Sequence, residues 1–169
     1  IKLGTTSSVS ILRSMSLAIS KFGNYFKKKN IDLLIVLGDR YEILSAVMPA
    51  ALNKIKIAHI HGGEKTSGSV DDIFRHTITK FSNFHFVAAK EYHQRVLQLG
   101  EEPQNVFTVG GLGSEKLSNF KFLSKKSLQK IISLDLSSKF FVLTINSSFL
   151  EKKSIYIFLK NLFFVLKKI

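Results

Sequence analysis

Two kinds of apolar pattern alternate along the chain. Leu33-Leu34-Ile35-Val36-Leu37 is an unbroken run of mostly branched side chains, which predicts a short strand buried on both faces. Ahead of it, Ile11, Met15, Leu17, Ile19, Phe22 and Phe26 recur at roughly helical spacing, and Lys27-Lys28-Lys29-Asn30 closes that helix. A helix rich in alanine and leucine is predicted from about Arg40 to Leu52, with Pro49 kinking or shortening its last turn. A strand over Ile55 to His61, a helix over Val70 to Phe81 and a strand over Phe84 to Ala89 follow. Lys90 to Leu99 reads as a helix closed by Gly100, and Val106 to Val109 as a fourth strand. Such alternation predicts an α/β fold, a parallel sheet with right-handed crossovers.

The pattern changes after Leu117. Glu115 to Ser138 is rich in lysine and serine and reads as a connecting helix or two. Lys139 to Asn146 is expected to start a new strand, and Ser154 to Lys168 a strongly apolar helix. One strand and one helix cannot make a domain. The expected organisation is an incomplete first domain over 1–117, a connecting segment over 118–138 and the start of a second domain over 139–169, unless that last part packs back on the first.

Composition narrows the class of function. The chain has no cysteine, which excludes disulfides and thiolate metal sites and suits a reducing, cytoplasmic setting. No apolar stretch reaches the length of a membrane span, so no membrane partner is expected. The formal net charge of +13 suggests nucleic acid, but only Arg13, Arg40, Arg75 and Arg95 are arginines. The lysines gather at helix ends and loops, where they complement helix dipoles, and no basic stripe alternates with aromatics. A solvated lysine-rich surface accounts for the charge, and no nucleic-acid partner is expected.

Chemistry concentrates where strands end. Gly38 permits a tight turn after the first strand, and Asp39-Arg40 then project from its carboxyl end, the edge at which open parallel sheets bind ligands. The second strand ends in His59, His61 and Glu64, followed by Asp71, Arg75 and His76 at the start of the next helix. A third loop, Gly110 to Gly113, leaves backbone open to close approach. Asp39 could instead cap the next helix, and Asp71 and Arg75, one turn apart, could simply pair. His59 and His61 fall on one side of a strand and could hold a metal, though a hydrogen-bonded structural histidine is commoner. Acid and base residues explain the carboxylates better than metal ligands do.

These residues carry a resemblance. Gly38-Asp39-Arg40-Tyr41-Glu42, Ala58-His59-Ile60-His61-Gly62-Gly63-Glu64, Ser67-Gly68-Ser69-Val70-Asp71-Asp72 and Arg75-His76-Thr77-Ile78-Thr79-Lys80 stand in order at separations that closely resemble the hydrolysing UDP-N-acetylglucosamine 2-epimerases of sialic-acid and nonulosonate biosynthesis. The likeness runs from about Ile1 to Leu117 and weakens beyond. It implies a Rossmann-like sheet within a two-domain, glycosyltransferase-B-like architecture, with a UDP-sugar in the cleft between domains. It also implies elimination of UDP across C1 and C2, followed by hydration to free N-acetylmannosamine. Asp39, Glu64 and Asp71 become candidate acid/base residues, with Arg40 near the phosphates and His61, Arg75 and Asn146 on the substrate.

No metal and no nicotinamide cofactor is implied, and the complete enzyme is expected to be a homo-oligomer. Non-hydrolysing relatives tend to have glutamate where His61 stands, so His61 points to the hydrolysing branch. Two departures stand out. The family's opening strand with its nucleotide loop is missing, and Thr144-Ile145-Asn146-Ser147 stands where the family has a threonine, a variable residue, then His-Pro. Asn146 can donate a hydrogen bond but cannot titrate. The chain is therefore expected to be a fragment, inactive alone. The alternatives are a UDP-2,4-diacetamido-6-deoxy sugar as substrate, or a remnant that only binds nucleotide or a partner subunit.

Overall fold

Four short strands pair side by side in the order in which they occur. The computed structural model describes residues 8–66, 69–113, 117, 120–144 and 152–168. Helix α1 (Ser8–Lys28) leads into β1 (Leu33–Leu37), then α2 (Tyr41–Leu52), β2 (Lys56–Ile60), α3 (Asp71–Phe81), β3 (Phe84–Val87), α4 (Lys90–Gln98) and β4 (Val106–Thr108). The sheet order is β1-β2-β3-β4 and every pairing is parallel. The register sets Val36 beside His59 and His59 beside His85, so these three share one face. The expected α/β fold with a parallel sheet is what forms.

That face carries the core. Phe26 of α1, Leu44, Val47 and Ala50 of α2, and Ile78 of α3 pack with Val36 and Ile57 of the sheet. Val87, Val96 and Val106 form a second cluster under α4. Each fully buried aliphatic side chain here stabilises the fold by roughly 1.5–3 kcal/mol relative to an exposed one. Asn83 ties the α3–β3 turn to β2: its Oδ1 accepts from the Ile57 N–H at 2.9 Å and its own N–H donates to the Ile57 carbonyl at 2.8 Å.

The expectation that β1 is buried on both faces is corrected. Val36 is buried, but Ile35 is 62% exposed, and Leu33 and Leu37 are also exposed. Strands added one after another in the same direction by right-handed crossovers place their helices on a single face. Among the described residues β1 is also an edge strand, with a neighbour on one side only. None of the described residues covers the second side of its apolar run.

Pro49 lies inside α2, which ends three residues later, and the Asn53 side-chain amide donates to the Pro49 carbonyl at 2.8 Å. Residues 1–119 and 120–169 form two separate units. The second holds α5 (Lys125–Ile132) and α6 (Lys152–Leu166). The strand expected from Lys139 does not form over residues 139–144, where Phe141 and Val142 are exposed. A strand without a partner leaves its backbone groups unpaired, and propensity alone does not hold it. Ile145 and Asn146 lie outside the described residues. None of the described helices is long and apolar enough to cross a membrane.

Candidate active site

The site builds on the turn after β1. Gly38 has φ +92°, a conformation that suits glycine and turns the chain sharply while its N–H still donates to the Ile60 carbonyl at 3.1 Å. Asp39 and Arg40 follow. The Asp39 carboxylate accepts from the Arg75 guanidinium of α3. Arg40 takes extended backbone as the residue preceding α2, and its exposed side chain pairs with Glu42 at 3.2 Å. The Glu42 hydrogen bond and charge raise the Arg40 pKa, with Asp71 nearby adding to the effect. Its guanidinium also lies 5.6 Å from the centroid of the Tyr41 ring.

Under this turn sits His59, fully buried on β2. Its Nε2 lies 2.8 Å from the Gly38 carbonyl, which can only accept, so Nε2 carries a proton. Burial pushes the His59 pKa down to about 4, leaving a neutral ring whose Nδ1 accepts from the Thr79 hydroxyl at 3.2 Å. That hydroxyl also faces the Arg75 carbonyl at 3.1 Å. Gly62 packs over the pair: a Cβ there would stand 3.0 Å from His59 Nδ1 and 3.1 Å from Thr79 Oγ1. The His59 ring thus joins the β1 turn to α3.

β2 ends at Ile60, and His61 has left the strand. It adopts φ +64°, a left-handed conformation uncommon for a residue other than glycine. This corrects the reading of His59 and His61 as neighbours on one side of a strand. His61 Nδ1 donates to Glu64 Oε1 at 2.6 Å. Gly63, at φ +76°, makes the reversal between them possible, and the Arg95 guanidinium of α4 donates to its carbonyl. His61 thus holds the Glu64 carboxylate, and Arg95 holds the backbone just before it.

Helix α3 begins with two acids and uses them differently. Asp72 Oδ1 accepts from the Thr66 N–H at 2.8 Å and from Arg75 at 2.6 Å. Asp71 accepts from the Ser69 hydroxyl at 2.9 Å, and its N–H donates back to Ser69 Oγ at 3.1 Å. Arg75, only 3% exposed, therefore pairs with Asp39 and Asp72, and the Asp71–Arg75 pair conceivable from helical spacing does not form. A buried guanidinium without such partners would be strongly destabilising.

Of the candidate residues, Asp39 and Arg75 are in direct contact, as are His61 and Glu64. Asp71 and Arg40 are near each other, and Asn146 lies outside the described residues. Thr79, Asp72 and Arg95 also organise the site. Asp72 at three residues from Arg75 was a legible pairing signal. Nothing local marks Thr79 or Arg95, whose partners are 20 and 32 residues away.

A comparison with protein families matches residues 1–155 to the UDP-N-acetylglucosamine 2-epimerase family. The chain belongs to that family. It is 40% identical over 155 residues to the polysialic acid biosynthesis protein P7 of Escherichia coli, covering 92% of this chain and 39% of that protein. It is 40% identical over 154 residues to the GDP/UDP-N,N'-diacetylbacillosamine 2-epimerase (hydrolyzing) of Campylobacter jejuni, covering 91% of this chain and 40% of that protein. Among solved structures it is similar to the Methanocaldococcus jannaschii UDP-GlcNAc 2-epimerase in complex with UDP-GlcNAc and UDP. The TM-score there is 0.62 at 18% identity, covering 78% of this chain and 37% of that one. The fold is that of the glycosyltransferase-B-like epimerases. The segment spans about two fifths of the length of the curated relatives it matches. The residues that carry the resemblance, 38–42 and 58–64, stand at the carboxyl ends of β1 and β2.

Proposed function

We propose that the protein carrying this segment is a hydrolysing 2-epimerase of UDP-2-acetamido sugars. It releases UDP and the free 2-epimer by elimination across C1 and C2 and then hydration. The observation that carries this is the buried Arg75 gripping Asp39 and Asp72, with the His61–Glu64 pair at the same carboxyl edge of the sheet. The C2 hydrogen of such a sugar is not acidic, so its removal needs a positioned base and a departing group that leaves in the same step. Arg40 stands at the strand end where an anionic diphosphate would lie, and neutralising it makes UDP a better leaving group. Asp39, Glu64 and Asp71 are the acid/base candidates, with His61, Arg75 and Asn146 assigned to substrate binding.

Two substrates stay within this proposal. UDP-N-acetylglucosamine accords with the family, and a UDP-2,4-diacetamido-6-deoxy sugar with the Campylobacter jejuni relative at 40% identity. Homo-oligomeric assembly of the whole protein, a cytoplasmic location and inactivity of the 169-residue segment alone belong to the same proposal.

The test uses the full-length protein with each sugar nucleotide. Turnover in heavy water should place one deuterium at C2 of the released sugar, and oxygen-labelled water should label the sugar at C1. Label in UDP would mean attack at phosphorus, and protium kept at C2 would mean direct hydrolysis. Either result ends the proposal.

A further inference from the structure

We infer that His61 is the base that takes the C2 proton, with Glu64 as its positioning residue. The inference rests on the proposed 2-epimerase reaction. The neighbouring groups are poorly suited to the part. Asp39 and Asp72 are both engaged by the buried Arg75 guanidinium. Glu42 is bound by Arg40. His59 is sealed, with both ring nitrogens engaged on Gly38 and Thr79. His61 differs from all of these. Its side chain is 25% exposed, its Nδ1–H is committed to Glu64, and its Nε2 has no partner among the described residues.

A carboxylate on the far nitrogen sets the tautomer, aims the lone pair of the near nitrogen outward and stabilises the imidazolium once a proton arrives. Backbone strain points the same way. A glycine would adopt φ +64° without strain, and glycines occupy the next two positions, yet position 61 holds a histidine in that conformation.

In the step, Nε2 bonds the C2 proton while the C2–H electron pair becomes the C1=C2 double bond. The C1–O pair leaves with UDP. The products are an imidazolium held against Glu64, a 2-acetamidoglycal and UDP. Water then adds its hydroxyl to C1, and a proton reaches C2 on the opposite face from a donor other than His61. The imidazolium returns its proton to solvent through its exposed edge.

The alternative is that the His61–Glu64 bond only staples the turn, with Glu64 itself meeting substrate. His61→Gly in the full-length protein separates the two, because glycine tolerates the backbone at this position. The expected result is a variant that melts close to wild type, turns over ~10²–10⁴-fold more slowly, and regains UDP release and C2 deuterium incorporation on adding imidazole. Glu64→Gln should lower kcat with KM little changed. Turnover by His61→Gly within about tenfold of wild type overturns the inference. So does a normally melting His61→Gly whose deficit imidazole leaves unrepaired. In both of those cases wild-type UDP release leaves the reaction itself standing, whereas no UDP release by the wild-type protein overturns both.

Discussion

His59 Nε2 donates to the Gly38 carbonyl at 2.8 Å, so a buried ring on β2 holds the turn from which Asp39 projects. This ring must be neutral to do so without cost. Its pKa falls from about 6.5 to about 4, mainly through burial, with His85 and Arg75 nearby opposing its charge. Because the folded value is the lower one, the unfolded chain binds more protons between these values. Stability is therefore full above about pH 6.5 and is lost as pH falls toward 4, by up to roughly 3 kcal/mol from this ring alone. Burial lowers the pKa of His85 and His76 as well, which adds loss in the same direction. Urea unfolding of the full-length protein at pH 7.5 and 5 checks this. His59→Gln, which can still donate to Gly38, should flatten the difference between them.

Arg75 is a structural keystone of the site. Arg75→Met should destabilise by about 3–5 kcal/mol, since it strands the Asp39 and Asp72 carboxylates without their cation. Asp39→Asn should cost stability as well as turnover. Unfolding the single and double variants in a cycle should give a coupling above about 1 kcal/mol.

Gly63→Ala should be among the more damaging single changes in the segment. A Cβ there would collide with the Tyr92 carbonyl oxygen at a φ of +76°, and neither backbone can yield cheaply. The expected loss is about 2–4 kcal/mol in thermal or urea unfolding, with Gly62→Ala milder.

Asp71→Asn separates chemistry from scaffolding. Asn can still accept from the Ser69 hydroxyl, so stability should change by less than about 1 kcal/mol. If Asp71 supplies a proton, kcat should fall by ~10²–10⁴-fold. Normal turnover with an early melt would make Asp71 a helix-end residue only.

The 169-residue segment alone should associate in solution. Leu33, Ile35, Leu37 and Phe107 are exposed on one side of the sheet, and Tyr156, Ile157, Phe158, Phe163 and Phe164 are exposed on α6. Light scattering should report species larger than a monomer, and Ile35→Lys should reduce them.

Much of this was legible in the chain itself. Periodicity located α1 to α4 and β1 to β4 because the apolar pattern differs between buried strands and one-sided helices, and the sheet closed in the expected parallel manner. Element ends shifted by a few residues: α1 begins at Ser8 and ends at Lys28, and β2 stops at Ile60 before His61. The strand expected at Lys139 failed because extended backbone needs a neighbour that local pattern cannot supply.

The residue types at the strand ends, and the family they belong to, were determined by sequence alone. Glycine at 38 and 63, acids at 39, 64, 71 and 72, and the histidines are written in it. Their pairing was decided by tertiary structure. Arg75 reaches Asp39 across 36 residues, and His59 reaches back to Gly38 across 21. Among the described residues, a one-directional run of crossovers leaves one side of β1 exposed despite its apolar sequence. Sequence spacing limits which contacts are possible along one helix or strand. Which buried charge meets which depends on how separate elements stack, and that follows from packing the whole sheet.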